Sequence, residues 1–227
     1  FARSICISLL VEVIGVGLKR DSFKRRIFTT YLLANSFLKT AINQSFYIRN
    51  EIKNCNTFPE EIVIKYKKEK IPYKLNMIDV YNNKVIPVDI ILYSGLNCKK
   101  EITRKRPNYY IIHKDLNIVA SKLNILGLNI DTLKYDELLN VESYEIISQS
   151  KAPQIFQGFH ENIVTTKLFN KEITFEKGTY IVPMNQKRSN LAVETLEPEM
   201  LSGFLRFNVI QPNDISKIHR YTLNKEL

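Results

Sequence analysis

Residues 5–14 (Ile-Cys-Ile-Ser-Leu-Leu-Val-Glu-Val-Ile) form a run that is apolar apart from Ser8 and one charge, Glu12. A run of that length and β-branched content predicts a strand buried on both faces, as in a parallel sheet covered by helices. Gly15 and Gly17 follow and allow a sharp turn. Over residues 22–53 the period lengthens. Phe23, Ile27, Tyr31, Ala34, Leu38, Ala41 and Phe46 recur at near 3.6 spacing, which predicts one long amphipathic helix. Asp21 or Ser22 is placed to cap it by accepting backbone N–H bonds. Strand, glycine turn and helix make an α/β unit.

From residue 58 to 93 the period drops to two. Ile62, Ile64 and Tyr66 alternate with Val63, Lys65 and Lys67. Two apolar stretches, 77–81 and 85–92, flank Asn82-Asn-Lys84, which predicts a hairpin because Asn tolerates positive φ. Pro87 marks that part of the second strand as an edge or a bulge. A basic stretch follows, ending at Pro107, which reads as a boundary. Beyond it, Tyr109-Tyr-Ile-Ile112 predicts a strand, residues 115–126 a helix stopped by Gly127, and residues 128–133 a second strand, a compact βαβ element. Residues 141–148, 163–175 and 179–182 predict further strands, with Glu176-Lys-Gly178 as a tight turn. Residues 189–195 predict a short helix ending before Glu197-Pro198. The expected organisation is 1–57, 58–106 and 107–227.

A chain of 227 residues buries a large core. No apolar run approaches the ~20 residues that span a bilayer. Residues 1–57 open on what reads as a central strand, so the chain is expected to be the back part of a longer polypeptide. Cys6, Cys55 and Cys98 are far apart and odd in number, with neither a disulfide framework nor a CxxC metal pair. The net charge of +10 is uneven: residues 1–107 hold 20 Lys/Arg against 9 Asp/Glu, and residues 108–227 hold 13 against 14. Such asymmetry fits a nucleic-acid or membrane-surface footprint. The basic clusters lie beside strand-like and turn-like segments, without an RNP, helix-turn-helix or zinc-finger pattern. A solvated sheet face or linker is the favoured reading, and no nucleic-acid partner is expected.

Candidate chemistry concentrates on Glu12. A buried carboxylate either has a partner or sits where a reaction needs it, and position alone leaves both open. In open α/β sheets ligands gather outside the carboxyl ends of strands, near where Glu12 lies. The three histidines, His113, His160 and His219, are isolated, and none has a second His or a carboxylate at metal-ligand spacing.

Three stretches carry a family resemblance. The first is Ser8-Leu-Leu-Val-Glu-Val with Gly15-Val-Gly and Arg25-Arg-Ile-Phe-Thr-Thr-Tyr-Leu-Leu. The second is Arg106-Pro-Asn-Tyr-Tyr-Ile-Ile with Leu123-Asn-Ile-Leu-Gly-Leu-Asn-Ile. The third is Gly178-Thr-Tyr-Ile-Val-Pro-Met-Asn-Gln, Leu191-Ala-Val-Glu-Thr-Leu-Glu-Pro-Glu and residues 204–208. In this order they resemble the C-terminal portion of bacterial zinc carboxypeptidases of the carboxypeptidase A-like family that carry an appended C-terminal domain.

The resemblance implies an α/β fold: the end of a zinc-carboxypeptidase-like domain followed by β-rich and mixed α/β accessory modules. It implies zinc as cofactor, a peptide or protein substrate, no membrane span and a secreted or periplasmic setting. In that family a glutamate at the end of a late strand is the general base for a zinc-activated water, and the motif match gives Glu12 this role. The family's HxxE motif is absent here, so its zinc ligands and substrate-binding arginine are expected to precede Phe1. The alternative is a non-catalytic binding or scaffolding protein on the same architecture, with Glu12 merely structural.

Overall fold

The computed structural model describes residues 7, 10–54, 58–79 and 81–223. The chain divides into two compact units, residues 1–58 and 59–227.

In the first unit a 3-10 turn, Val16–Ser22, leads into α1 (Phe23–Asn43) and α2 (Ser45–Asn54). The predicted single helix is therefore bent at Gln44. Hydrogen bonding continues across the bend, from Gln44 N–H to Thr40 O at 2.9 Å and from Ile48 N–H to Gln44 O at 2.9 Å. Asn43 and Ser45 flank it, and both have side chains that compete for backbone groups and weaken a helix. The strand expected over residues 5–14 is not found among its described residues: Ile7 and residues 10–14 lie in neither helix nor strand. A strand is stabilised by the ladder to its neighbour, and no other described segment of this unit is extended. The apolar stripe of α1 is present, but the helix buries no residue. Such a stripe is stabilising only when a second layer covers it. Residues 1–6, 8–9 and 55–57, with Cys6 and Cys55, fall outside the description.

The second unit holds two antiparallel sheets. β1 (Glu61–Asp79) and β2 (Lys84–Lys105) form a long two-stranded ribbon, from Glu61 opposite Lys105 to Asp79 opposite Lys84. Its turn lies where Asn82-Asn83 predicted it, with Asn83 at φ 51°. The basic stretch 99–105, read as a solvated sheet face or linker, is the last part of β2. Pro87 sits opposite Asn76 in a sheet whose two strands are both edges, so it costs no second ladder.

The remaining strands are β3 (Tyr109–Ile112), β4 (Asp131–Thr132), β5 (Glu137–Phe156), β6 (Phe159–Phe175), β7 (Tyr180–Pro183) and β8 (Ile218–Tyr221), ordered β4-β7-β3-β8-β5-β6. Helix α3 (Asn117–Ile125) is stopped at Gly127, φ 80°, and α4 (Ser189–Leu196) ends before Glu197-Pro198. β3 and β4 both run antiparallel to β7, which lies between them. The βαβ element is thus split by an inserted strand. β8 carries no strong sequence signal, yet pairs with both β3 and β5.

Alternation along β3 fixes the core. Tyr110 and Ile112 enter one cluster with Leu123, Leu196 and Ile218, while Ile111 enters a second with Val141, Ile181 and Tyr221. Ile62 and Ile64, at the foot of the ribbon, belong to the first of these clusters. The boundary read at Pro107 therefore does not separate two cores. Within the second unit the ribbon is rooted in the sheet's own core.

Candidate functional site

Glu12 sits in the short segment that precedes α1, and it is exposed. What fixes this segment is the turn behind it. Gly15 adopts φ 128°, and a Cβ there would meet Arg25 Nη2 at 2.6 Å and Ser22 Cβ at 2.9 Å. Only glycine meets both conditions. The Ser22 hydroxyl donates to Gly15 O at 2.5 Å and to Lys19 O at 3.0 Å, and Arg25 Nη2 donates to Ile14 O at 2.6 Å. Ser22 thus holds the turn and does not cap α1, which has no side-chain cap bond. The carbonyl pinned by Arg25 lies two residues after Glu12.

Val11 and Val13, the neighbours of Glu12, line a groove of about 640 Å³ with Phe23, Arg26, Ile27 and Thr30 of α1. Arg26 Nε is shielded from water and has no hydrogen-bond acceptor among the described residues. Sequence reasoning missed Arg26. The signal was a cation at i+3 from Phe23 on an otherwise apolar stripe, the same kind of anomaly that marked Glu12.

The histidines are each engaged locally. His113 Nδ1 lies 3.2 Å from Asp115 Oδ2, and His160 Nδ1 is 2.9 Å from the Ala152 carbonyl. His219 is buried, with Nδ1 2.8 Å from Ser143 Oγ and the Phe175 ring packed edge-on at 5.3 Å. Burial, with Lys171 and His113 adding positive charge nearby, pushes its pKa down to about 4, so the ring is neutral at pH 7. Among the described residues no three of His, Cys, Asp and Glu converge as a metal site. These residues do not fit the zinc that the resemblance implies, and no step through it follows from them.

The strongest electrostatic feature is a buried network in the second unit. Glu197, fully buried, accepts from Arg104 Nη1 at 2.5 Å and from the Tyr110 hydroxyl at 2.7 Å, and pairs with Arg220 Nε at 3.0 Å. Glu199 receives both Arg104 nitrogens at 2.9 Å and the Thr166 hydroxyl at 2.7 Å. Arg220 donates to Glu142 at 2.6 Å and to the Lys105 carbonyl. Burial alone would lower the pKa of Arg104, but the carboxylates of Glu197 and Glu199 raise it above its ordinary value. Burial, then the charge on Glu197, raises the phenols of Tyr110 and Tyr144 well above theirs. Every charged member has an opposite partner, as a buried ion needs. The network binds the foot of β2 to β3, β5, β6, β8 and the loop after α4, and it is structural. Its sequence signal was Glu197-Pro-Glu199, two carboxylates directly after an apolar helix.

Among the described residues no helix is long and apolar enough to cross a membrane. No protein-family model matches the chain, and no solved structure matches it. Curated relatives do match. Carboxypeptidase 2 of Trichophyton rubrum is 27% identical over 214 residues, covering 92% of this chain and 40% of the relative. Carboxypeptidase 2 of Trichophyton equinum is 26% identical over 211 residues, covering 91% and 39%. Probable carboxypeptidase 2 of Arthroderma benhamiae is 26% identical over 198 residues, covering 86% and 38%. The chain spans about two-fifths of the length of these relatives. They are fungal, whereas the resemblance pointed to bacterial enzymes. The chain is thus similar, through both of its units, to proteins named as carboxypeptidases.

Proposed function

We propose that this chain is the C-terminal part of a metallocarboxypeptidase-like hydrolase that cleaves peptide bonds, with Glu12 as its general base. The observation that carries the proposal is the similarity to carboxypeptidase 2 proteins over 92% of the chain. The local geometry around Glu12 supports it. A base must be accessible to water and held in place, and Glu12 is exposed on a segment tied to α1 through Ser22 and Arg25. In this role its carboxylate takes a proton from the water that attacks the scissile carbonyl. It then gives that proton to the departing amine as the C–N bond breaks. Zinc, in this proposal, is held by residues outside those described here.

The second unit is proposed as an accessory module whose fold the buried network secures. The test uses the full-length protein and peptides with free and amidated C-termini. The proposal expects stepwise release of C-terminal residues from the free peptide, about one bound zinc per protein, and loss of release in Glu12→Gln with the zinc retained. Full activity in that variant rules out the base assignment. Peptide binding without hydrolysis in the unmodified protein supports the scaffolding alternative instead.

A further inference from the structure

The β1–β2 ribbon has one face that does not behave like ordinary surface. Side chains alternate along a strand, so β1 places Ile71, Tyr73, Leu75 and Met77 on one side. The residue opposite each of them on β2 is aliphatic as well, from Leu92 opposite Ile71 to Ile86 opposite Met77. Four successive cross-strand pairs are therefore apolar, over roughly 20 Å of ribbon. Tyr73 and Met77 remain 49% and 47% exposed, and no third strand or helix is paired to this sheet among the described residues.

Lysines bracket the strip. Asp79 lies opposite Lys84 at the turn end. At the other end Lys67 stands directly opposite Lys99, both exposed and neither in an ion pair among the described residues. Like charges facing each other across a ladder are destabilising, so this pair weakens the ribbon unless an anion is present. Glu69 lies on the same side between Lys67 and Ile71, while Lys68 and Lys70 alternate to the other side with Tyr66 and Tyr93, Lys70 Nζ 5.3 Å from the Tyr93 ring centre. Over residues 61–105 there are 10 Lys/Arg against 5 Asp/Glu.

We propose that this ribbon is a docking surface for an anionic lipid membrane, with the apolar strip in the interface and the flanking lysines on lipid headgroups. Charge and apolarity together select this occupant. A nucleic acid or an acidic polypeptide would use the lysines and leave the aliphatic strip in water. A second copy of the chain, in a parallel face-to-face arrangement, would bring Lys67 and Lys99 against their own counterparts. It would also bury only on the order of 500 Å² per copy, short of the ~800 Å² of a standard interface. A bilayer surface uses both features: apolar side chains enter the acyl boundary while each lysine gains from the negative surface potential. The inference is independent of the peptidase proposal.

The test is sedimentation of the 227-residue chain with vesicles of phosphatidylcholine alone and of phosphatidylcholine with phosphatidylserine, with hydrogen exchange on the bound state. The expected result is partition onto the serine-lipid vesicles only, weakened by salt, with exchange protection confined to residues 71–77 and 86–92. Lys67→Gln with Lys99→Gln weakens partition roughly 30-fold, and Leu75→Ser with Met77→Ser weakens it further. Equal binding to both vesicle types overturns the charge argument. Binding that survives loss of the strip, or that polyglutamate or a short DNA duplex competes away completely, makes the site a general polyanion surface and overturns the proposal. Self-association of the lipid-free chain at micromolar concentration overturns it in favour of a second copy. Exchange on the unmodified chain decides the matter even where a variant fails to fold.

Discussion

Glu197→Ala removes the carboxylate on which the second unit's network converges. Glu197 has no exposed surface, and three groups rely on it: Arg104, Tyr110 and Arg220. Truncation strips one partner from each guanidinium and, among the described residues, the acceptor of the Tyr110 hydroxyl. Arg104 keeps Glu199, and Arg220 keeps Glu142 and the Lys105 carbonyl, so neither cation is wholly orphaned. Removing one side of a buried ion pair costs roughly 3–5 kcal/mol, and the residual partners place Glu197→Ala near the lower end. For a unit of this size each kcal/mol is about 2–4 °C in Tm, so the variant melts roughly 10 °C lower. Glu142→Ala, at the partly exposed end of the same network, costs less, about 1–2 kcal/mol, because Arg220 keeps Glu197. The assay is urea unfolding followed by near-ultraviolet circular dichroism. The chain has no Trp, and Tyr110 and Tyr144 are buried in the network, so the signal reports on it. Equal and small losses for Glu197→Ala and Glu142→Ala would refute the reading that Glu197 anchors the ribbon's foot.

Two further outcomes follow from the geometry. His219 has a folded pKa of about 4 against 6.5 for the free side chain. The unfolded chain therefore binds the extra proton first, and stability is full above pH 6.5 and falls as pH drops toward 4, by about 3 kcal/mol. His219→Phe flattens that part of the stability–pH curve, as urea midpoints between pH 4 and 7 will show. Gly15→Ala places a methyl against Ser22 and forces φ 128° on an L side chain, which costs about 1–3 kcal/mol locally. Hydrogen exchange should report faster opening of residues 14–22 with the second unit unchanged.

The elements that the sequence discloses are those whose signals are local. The Asn82-Asn83 hairpin, β3, the α3 stop at Gly127 and the end of α4 before Pro198 all appear where pattern and turn chemistry place them. β8 escapes because its pairing to β3 and β5 joins residues about 80 to 110 positions apart, which no window of periodicity senses. The same long range hides the network, in which Arg104, Glu197 and Arg220 are united only by the sheet order. The run around Glu12 fails in the opposite way. Its pattern is that of a buried strand, but a strand is a property of two chain segments, and the described part of the first unit provides one. The anomaly of a lone charge was still informative, and Arg26 on the apolar stripe of α1 repeats it at the groove that Val11 and Val13, the neighbours of Glu12, line.

The central claim rests on Glu12, and the most direct measurement is turnover of a peptide substrate by the full-length protein carrying Glu12→Gln, with kcat and KM determined separately. Gln keeps the size and removes the proton acceptor. The account predicts a fall in kcat of about 10²–10⁴-fold with KM and metal content nearly unchanged. An unchanged kcat, or a loss confined to KM, would contradict it.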